Sequence, residues 1–399
     1  MFKTKNESIR SRCAIALAAL AFISIGANTD AADPSFTFHD ALTGANAGDL
    51  DWRQTPVRED VIVFYEHTLG LYPRIDQNSE NWINGGIPQE VELTRHLEKA
   101  RLDIERLIPD PDWDGYAVID YESWSPWWDL TEPPYRDGTR QVTERRYPGW
   151  TDEQIEQQSR HIYELFARAI MEETIRLGKQ LRPEAKWGFW SYPRISQTVV
   201  DASWLWDLSD AYYPSIYMRD SLVPDGVELS LGEGYASDYI DEMFNGRLNM
   251  AKALAHGDKP VLAFAWPRYT QRNENQWLRY RQLKDEDLWL MLYGPYLWGI
   301  DGVIIWDNLS QPGVADVFQQ YLDQRIAPQL EFINRVVLHN DALDENQIPE
   351  DVNQDGFVNT IDLSYVISFY GTDDAAADIN DDGIVDTIDL GMVMTAFTN

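Results

Sequence analysis

Residues 116–124 read YAVIDYESW. The apolar run Ala117-Val118-Ile119 ends in Asp120, and a second acid, Glu122, follows after one tyrosine. A run this short and this continuously apolar suits a parallel strand covered on both faces. Similar runs recur as VIVFYE (61–66), WGFWSYP (187–193), AYYPSIYM (211–218), PVLAFAW (260–266) and DGVIIWD (301–307). Helical patterns lie between them. Over 91–108, Leu93, Leu97, Ala100, Ile104 and Leu107 fall on one face. Over 152–180 the stripe is Ile155, Ile162, Leu165, Phe166, Ala169 and Ile170, and Thr151 with Gln154 predicts a capping box at its start. A third pattern, DEDLWLMLYGPYLWG, precedes the last strand. Strand–helix alternation over roughly 300 residues, without a glycine-rich phosphate loop, predicts an α/β fold of TIM-like β/α barrel type. Six legible strands make it an irregular barrel, or leave one or two strands hidden.

Function gathers at the C-terminal ends of barrel strands. Those ends carry Tyr65, then Asp120 with Glu122, then Trp190 with Tyr192, then Tyr217, Trp266 and Trp306. Aromatic rings there either build core or stack on sugar faces. The two acids are either a solvated strand end or a site. A ring of aromatics around carboxylates is what glycoside hydrolysis needs. In a continued strand, residues i and i+2 share a face about 6.5–7 Å apart. Asp120 and Glu122 are then side by side and cannot flank a sugar from opposite sides. One acid could donate the proton while its neighbour stays ionised, and the substrate's own N-acetyl oxygen could then act as nucleophile.

The chain has 399 residues, 16 Trp and 20 Tyr. Its start, with Lys3, Lys5, Arg10 and Arg12 before CAIALAALAFISIGA (13–27), reads as an export signal over 1–32. Cys13, the single cysteine, lies within it, so the expected mature chain is exported without disulfides. No other long apolar run follows, and no membrane span is expected in the mature form. The net charge of −33 becomes −35 once residues 1–32, with four basic and two acidic groups, are removed. Such a chain offers no stripe to neutralise phosphates, which argues against nucleic-acid binding. The six His (39, 67, 96, 161, 256 and 339) show no paired ligand spacing, so no metal is expected in the barrel.

From Asp341 onward there are 14 acidic residues and no Lys or Arg. The expected organisation is a signal at 1–32, a barrel at 33–340, a linker at 341–350 and a small all-α domain at 351–399. DVNQDGFVNTID (351–362) and DINDDGIVDTID (378–389) repeat at an offset of 27. Acid or amide oxygens at loop positions 1, 3, 5 and 12, with glycine at 6, match a calcium loop. One Ca2+ site draws on Asp351, Asn353, Asp355, the Phe357 carbonyl, Asn359 and Asp362. The other draws on Asp378, Asn380, Asp382, the Ile384 carbonyl, Asp386 and Asp389.

The segments NGGIPQEVELTRHLEKARLDIERLIPD, YAVIDYESWSPWW, TIRLGKQLRPEAKWGFW, WLWDLSDAYYPSIYM and GVIIWDN stand in the order of the animal-type hyaluronidases, which the chain resembles over about 60–325. The resemblance implies an irregular β/α barrel that cleaves hyaluronan, and to a lesser extent chondroitin, with retention and substrate assistance. It implies Glu122 as general acid/base, Asp120 as the group orienting the acetamido function and Tyr217 as its contact. It implies Tyr65 and Trp306 as cleft walls, with Trp190, Tyr192 and Arg247 as further substrate contacts. The chain departs from the family pattern in having Trp190 in place of tyrosine and Ser125 in place of arginine, and in lacking its disulfides. The substrate is therefore hyaluronan or a related N-acetylhexosamine polysaccharide. The paired tail loops, with Asp at position 12, look like a type I dockerin, which implies a cohesin partner and a secreted or cell-surface location. The alternative is a non-catalytic glycan-binding barrel displayed through a dockerin–cohesin contact.

Overall fold

The computed structural model describes residues 36–44, 47, 50–52, 55–76, 81–194, 200–219, 221, 239–270, 280–310, 314–334, 350–353, 358–380 and 383–396. The expected export signal, linker residues 341–349, and the loop residues Asp355, Phe357 and Asp382 lie outside them. Among the described residues the strands are β1 (Thr37–Asp40), β2 (Val57–Arg58), β3 (Val61–Tyr65), β4 (Arg74–Ile75), β5 (Trp82–Ile83), β6 (Tyr116–Asp120), β7 (Lys186–Phe189), β8 (Leu262–Ala265) and β9 (Gly302–Ile305). The chain divides into two compact units. One holds Asp60–Pro214 and Ala253–Pro260; the other holds Met1–Glu59, Ser215–Lys252 and Val261–Asn399.

In the first unit β3, β6 and β7 form a parallel sheet in that order. Tyr65 pairs with Asp120 across β3 and β6, and Ile119 with Phe189 across β6 and β7. The interior of β6, Ala117 to Ile119, is fully buried, as its continuous apolarity predicts. Tyr213 adds an isolated parallel bridge to Trp190. The run at 211–218 thus forms single bridges where a regular strand was expected, because Pro214 supplies no N–H to a ladder. Gly188 permits this approach, since a Cβ there would lie 2.4 Å from the Ala211 carbonyl.

Helices Leu93–Leu107 and Asp152–Leu181 cover this sheet's core. The Thr151–Gln154 capping box is present. The expected stripe of the longer helix needs correction: Leu165 and Phe166 are 54% and 37% exposed. Its buried face runs through Ile155, Ser159, Tyr163, Ala167, Ile170, Met171 and Thr174. Apolarity alone misplaced the face because Ser159, Tyr163 and Thr174 find partners inside. Tyr163 donates to the Ser125 carbonyl (2.8 Å), and Ser159 to Thr143 (3.0 Å).

His96 anchors the turn that follows β3. Its Nδ1 accepts the Leu71 N–H (3.0 Å), and its Nε2 lies 2.8 Å from the Thr174 hydroxyl. Gly70, at φ +68°, packs on the same ring; a Cβ there would come within 2.7 Å of it.

The second unit carries the parallel sheet β2-β1-β9-β8, extended by a bridge from Ser215 to Phe264. β1 is one of the hidden strands. Its sequence, Thr-Phe-His-Asp, lacks a continuous apolar run, but His39 is fully buried and its ring lies 2.6 Å from the Thr37 hydroxyl. Helices Thr360–Ser368 and Thr387–Ala396 belong to the same unit. Tyr365 packs edge-on against Phe332 (4.8 Å) and Trp289 (6.3 Å), and Phe369 lies 6.5 Å from Tyr293. The tail module is therefore seated on helix Asp285–Leu297 through aromatic contacts. No helix among the described residues is long and apolar enough to cross a membrane.

Burial holds His96 neutral and lowers its pKa from 6.5 to about 4. Its contribution to stability is complete above pH 6.5 and is lost as pH falls towards 4. In urea titrations the wild type should lose roughly 3 kcal/mol over that interval that a His96→Gln variant does not lose. Parallel pH slopes for the two proteins would refute this.

Candidate active site

Asp120 stands at the exit of β6, opposite Tyr65. Its Oδ1 is buried without a hydrogen-bond partner among the described residues. Burial pushes its pKa well above the usual carboxylate range, the negative charges of Glu122 and Glu66 push it further, and the Arg194 guanidinium opposes them. β6 stops at Asp120, so Glu122 does not continue the strand. This corrects the expected in-strand spacing. Tyr121 turns inward and donates to the Leu69 carbonyl (2.8 Å), while Glu122 is exposed. The two acids therefore differ: Asp120 is half-buried with one oxygen sealed from water, and Glu122 is exposed.

Glu66, one residue past β3, was not singled out from the sequence. Its carboxylate accepts the Ser123 N–H (3.2 Å) and hydroxyl (2.7 and 2.8 Å), which ties down the residue after Glu122. The available signal was its place at the end of VIVFYE, two strands' worth of geometry away from Ser123. Beyond Ser123 the aromatic cluster is core. The indole N–H of Trp124 donates to the Pro73 carbonyl (2.7 Å), that of Trp127 to the Asp201 carbonyl (3.1 Å) and that of Trp128 to Glu156 (2.8 Å). Tyr72 stacks on Trp124 at 4.9 Å.

Glu122 lines a pocket with Trp124, Ser125, Glu132, Tyr192 and Arg194. The wall from β7 is shaped by Ser191, which sits at φ +62°, a conformation a serine adopts at a cost of about 1–2 kcal/mol. Ser191 N–H donates to the Tyr213 carbonyl (2.8 Å), and its own carbonyl accepts Arg194 Nε (3.0 Å). The guanidinium lies 5.2 Å from the Tyr192 ring centre and 5.9 Å from that of Trp190. Tyr192 is buried and Trp190 half-buried. Tyr65 is half-buried and stacks on His67 at 5.8 Å.

The second unit holds the other expected residues. Tyr217 lies 6.0 Å from Trp306, nearly parallel to it, and 5.6 Å from Trp266. Trp266 donates to the buried Asp307 (3.0 Å), which also pairs with Arg268. All three rings are half-buried. Arg247 donates to the Ser215 carbonyl (3.2 Å) and pairs with Glu242 (2.9 Å), so it steadies the segment that carries Tyr217.

In the tail, Asp351, Asn353, Asp362, Asp378 and Asp389 are all buried. Asp362 accepts the N–H groups of Asn353 (3.0 Å) and Asn359 (2.8 Å). Asp389 accepts those of Ile379 (2.8 Å), Asn380 (3.2 Å) and Asp386 (2.7 Å). Gly383, at φ +92°, donates to Asp378 (2.7 Å), which bends the loop around its oxygens. Buried hard oxygen donors with no Lys or Arg in the module fit a calcium ion. No three His, Cys, Asp or Glu cluster as metal ligands among the described residues, to which Asp355 and Asp382 do not belong.

Residues 349–398 match the dockerin type I domain. The chain is 28% identical to the hyaluronidase of Apis mellifera over 331 residues, which covers 76% of this chain and 81% of that protein. It is 30% identical to Homo sapiens hyaluronidase-1 over 293 residues, 67% of this chain and 64% of that one. It is 38% identical to a Caenorhabditis elegans chondroitin hydrolase over 179 residues, 40% and 39% of the two chains. The solved structure of bee venom hyaluronidase in complex with a hyaluronic acid tetramer superposes with a TM-score of 0.59 at 25% identity, over 75% of this chain and 99% of that one. The expected irregular TIM-like barrel is the fold of that neighbour. With the hyaluronidase family profile matching residues 49–201 and 196–339, the chain belongs to the hyaluronidase family of glycoside hydrolases and ends in a dockerin type I domain.

Proposed function

We propose that the chain is an exported, retaining endo-β-N-acetylhexosaminidase that cleaves hyaluronan or a related N-acetylhexosamine polysaccharide. The observation that carries this is the unequal pair at the end of β6. Asp120 is half-buried, with one oxygen sealed from water, and is raised in pKa; Glu122, two residues on, is exposed. Burial and neighbouring negative charge make Asp120 hold its proton to higher pH than an isolated carboxyl would. Glu122, facing the pocket, delivers a proton to the glycosidic oxygen as the C1–O bond breaks. A retaining glycosidase with a protein nucleophile needs its two carboxyl groups across the sugar, about 5–5.5 Å apart. Two acids two residues apart at one strand end do not provide that arrangement. The substrate's acetamido oxygen bonds to C1 instead, with Asp120 holding the acetamido N–H. Water then attacks C1, its proton returns to Glu122, and the acetamido group is released with net retention.

Glu66 positions the Glu122 loop through Ser123. Tyr65, Trp190 and Tyr192 contribute aromatic surface in the first unit, and Tyr217 and Trp306 in the second. The role of Tyr217 at the acetamido group rests on its sequence motif, and Arg247 supports it by holding the Ser215 carbonyl. We assign residues 1–32 to an export signal, 33–340 to the barrel, 341–350 to a linker and 351–399 to the dockerin. The dockerin holds two Ca2+ ions through Asp351, Asn353, Asp355, Phe357, Asn359 and Asp362, and through Asp378, Asn380, Asp382, Ile384, Asp386 and Asp389. Calcium would cross-link each loop and so stabilise the small module. A cohesin domain is its partner, which gives a secreted or cell-surface location.

Glu122→Gln should lower kcat on hyaluronan or chondroitin by about 10²–10⁴-fold, in a reducing-end assay, with an unchanged circular dichroism spectrum. Normal turnover would remove the assignment, and binding without new reducing ends in the wild type would favour a glycan-binding barrel. Asp120→Asn should also cost activity but raise stability at neutral pH. The folded pKa of Asp120 lies above the unfolded one, so ionisation weakens the fold as pH rises. The melting-temperature gain of the variant should shrink as pH falls below the ordinary carboxylate range. Chelation of Ca2+ should loosen Tyr365 from Trp289 and red-shift the tryptophan emission of the full chain, reversibly on re-addition of the ion. An emission spectrum indifferent to chelator would contradict the calcium assignment.

A further inference from the structure

In the second unit β8 and β9 run parallel with Ala265 opposite Ile305, so Trp266 and Trp306 are the first residues past two neighbouring strand ends. Their rings meet edge to face at 5.3 Å, and Trp306 stacks on Tyr217. Asp307, the residue after Trp306, turns inward and is only 2% exposed. Its Oδ1 accepts the Trp266 indole N–H (3.0 Å) and the Asn308 N–H (2.8 Å), and its Oδ2 accepts Arg268 Nε. Arg268 donates from Nη1 to the Tyr280 carbonyl (3.2 Å), and the exposed Tyr280 ring lies 5.9 Å from Trp266.

A buried ion pair is a poor way to gain stability, because desolvating both charges offsets most of their attraction. What this pair supplies is direction. An indole turns about its Cβ–Cγ bond between broad orientations, and packing on a half-buried ring separates them weakly. A hydrogen bond from Nε1 to a carboxylate that is itself paired selects one of them. The Asp307 backbone is held as well: its carbonyl accepts the Thr43 N–H (2.9 Å), which ties this strand end to the segment after β1.

We propose that Asp307 and Arg268 are positioning residues that fix the Trp266 indole beside Trp306 and Tyr217, so that the three rings form one wall for a sugar of the polysaccharide. This rests on the glycosidase reading for the identity of the ligand. A ring ordered before the sugar arrives does not have to be ordered by it, so the benefit falls on binding and not on the proton transfer at Glu122.

The test measures reducing ends released from hyaluronan and from chondroitin by the full chain. Arg268→Gln, and separately Trp266→Phe, which keeps an aromatic ring but removes the N–H, should each raise KM about 5- to 50-fold while kcat changes by less than about threefold. Both act through one hydrogen-bonded unit, so the double variant should lose less than the product of the two factors. Arg268→Lys, which keeps the charge beside Asp307, should recover part of the loss. A role in stability alone would lower the melting temperature of these variants and leave KM where it was. That result overturns the proposal, and so do losses that multiply in full. If Arg268→Gln does not fold, Arg268→Lys takes its place in the cycle. If the wild type releases no reducing ends, calorimetry with oligosaccharides of the same two polymers replaces KM. Weaker binding by the variants then keeps the proposal while the catalytic reading fails; equal binding by all of them, or none by the wild type, ends it.

Discussion

Asp120 lies where burial and two neighbouring negative charges all oppose its ionisation. That placement costs stability, and the surrounding unit is arranged so that the cost cannot be escaped. β6 is held between β3 and β7 in parallel register, which fixes the backbone from which Asp120 projects. Glu66 holds Ser123 by backbone and side chain, so the loop carrying Glu122 cannot swing away. The result is a carboxyl at the strand end that holds its proton more tightly than an isolated one.

The aromatic content divides between two roles. Trp124, Trp127 and Trp128, which crowd the acid motif in sequence, are core. Each buries its ring and finds an acceptor for its indole N–H. They pin the segment to the Pro73 turn, to Asp201 and to the helix Asp152–Leu181. The half-buried rings, Tyr65 and Trp190 in one unit and Tyr217, Trp266 and Trp306 in the other, remain partly accessible, and partly accessible rings are the kind that can take part in sugar contacts. In the tail, Tyr365 and Phe369 serve neither role. They seat the dockerin on helix Asp285–Leu297 and connect the repeated acidic loops to barrel helices through packed rings.

The core strands of both sheets were legible because strands covered on both faces must be apolar throughout. β1 was not, because its His39 is satisfied locally by Thr37 and breaks the apolar run. The long helix was found but its face was misread at Leu165 and Phe166, since polar side chains that pair inside the protein carry no hydrophobic signature. Asp120 and Glu122 stood out because acids rarely end a buried run without reason. Glu66 and Arg194 did not, because their meaning depends on residues far along the chain.

The sequence by itself determined the alternation of strands and helices, the paired acids at one strand end and the repeated acidic loops of the tail. Each is a local pattern: a periodicity, a spacing or a repeat that short-range geometry imposes on neighbouring residues. Only the tertiary structure decided which of the two acids has an oxygen sealed from water, that Glu66 grips Ser123, which tryptophans are core and that Arg194 stands in the pocket of Glu122. Those facts come from burial and through-space charge, and both are set by segments that meet only when the chain has folded.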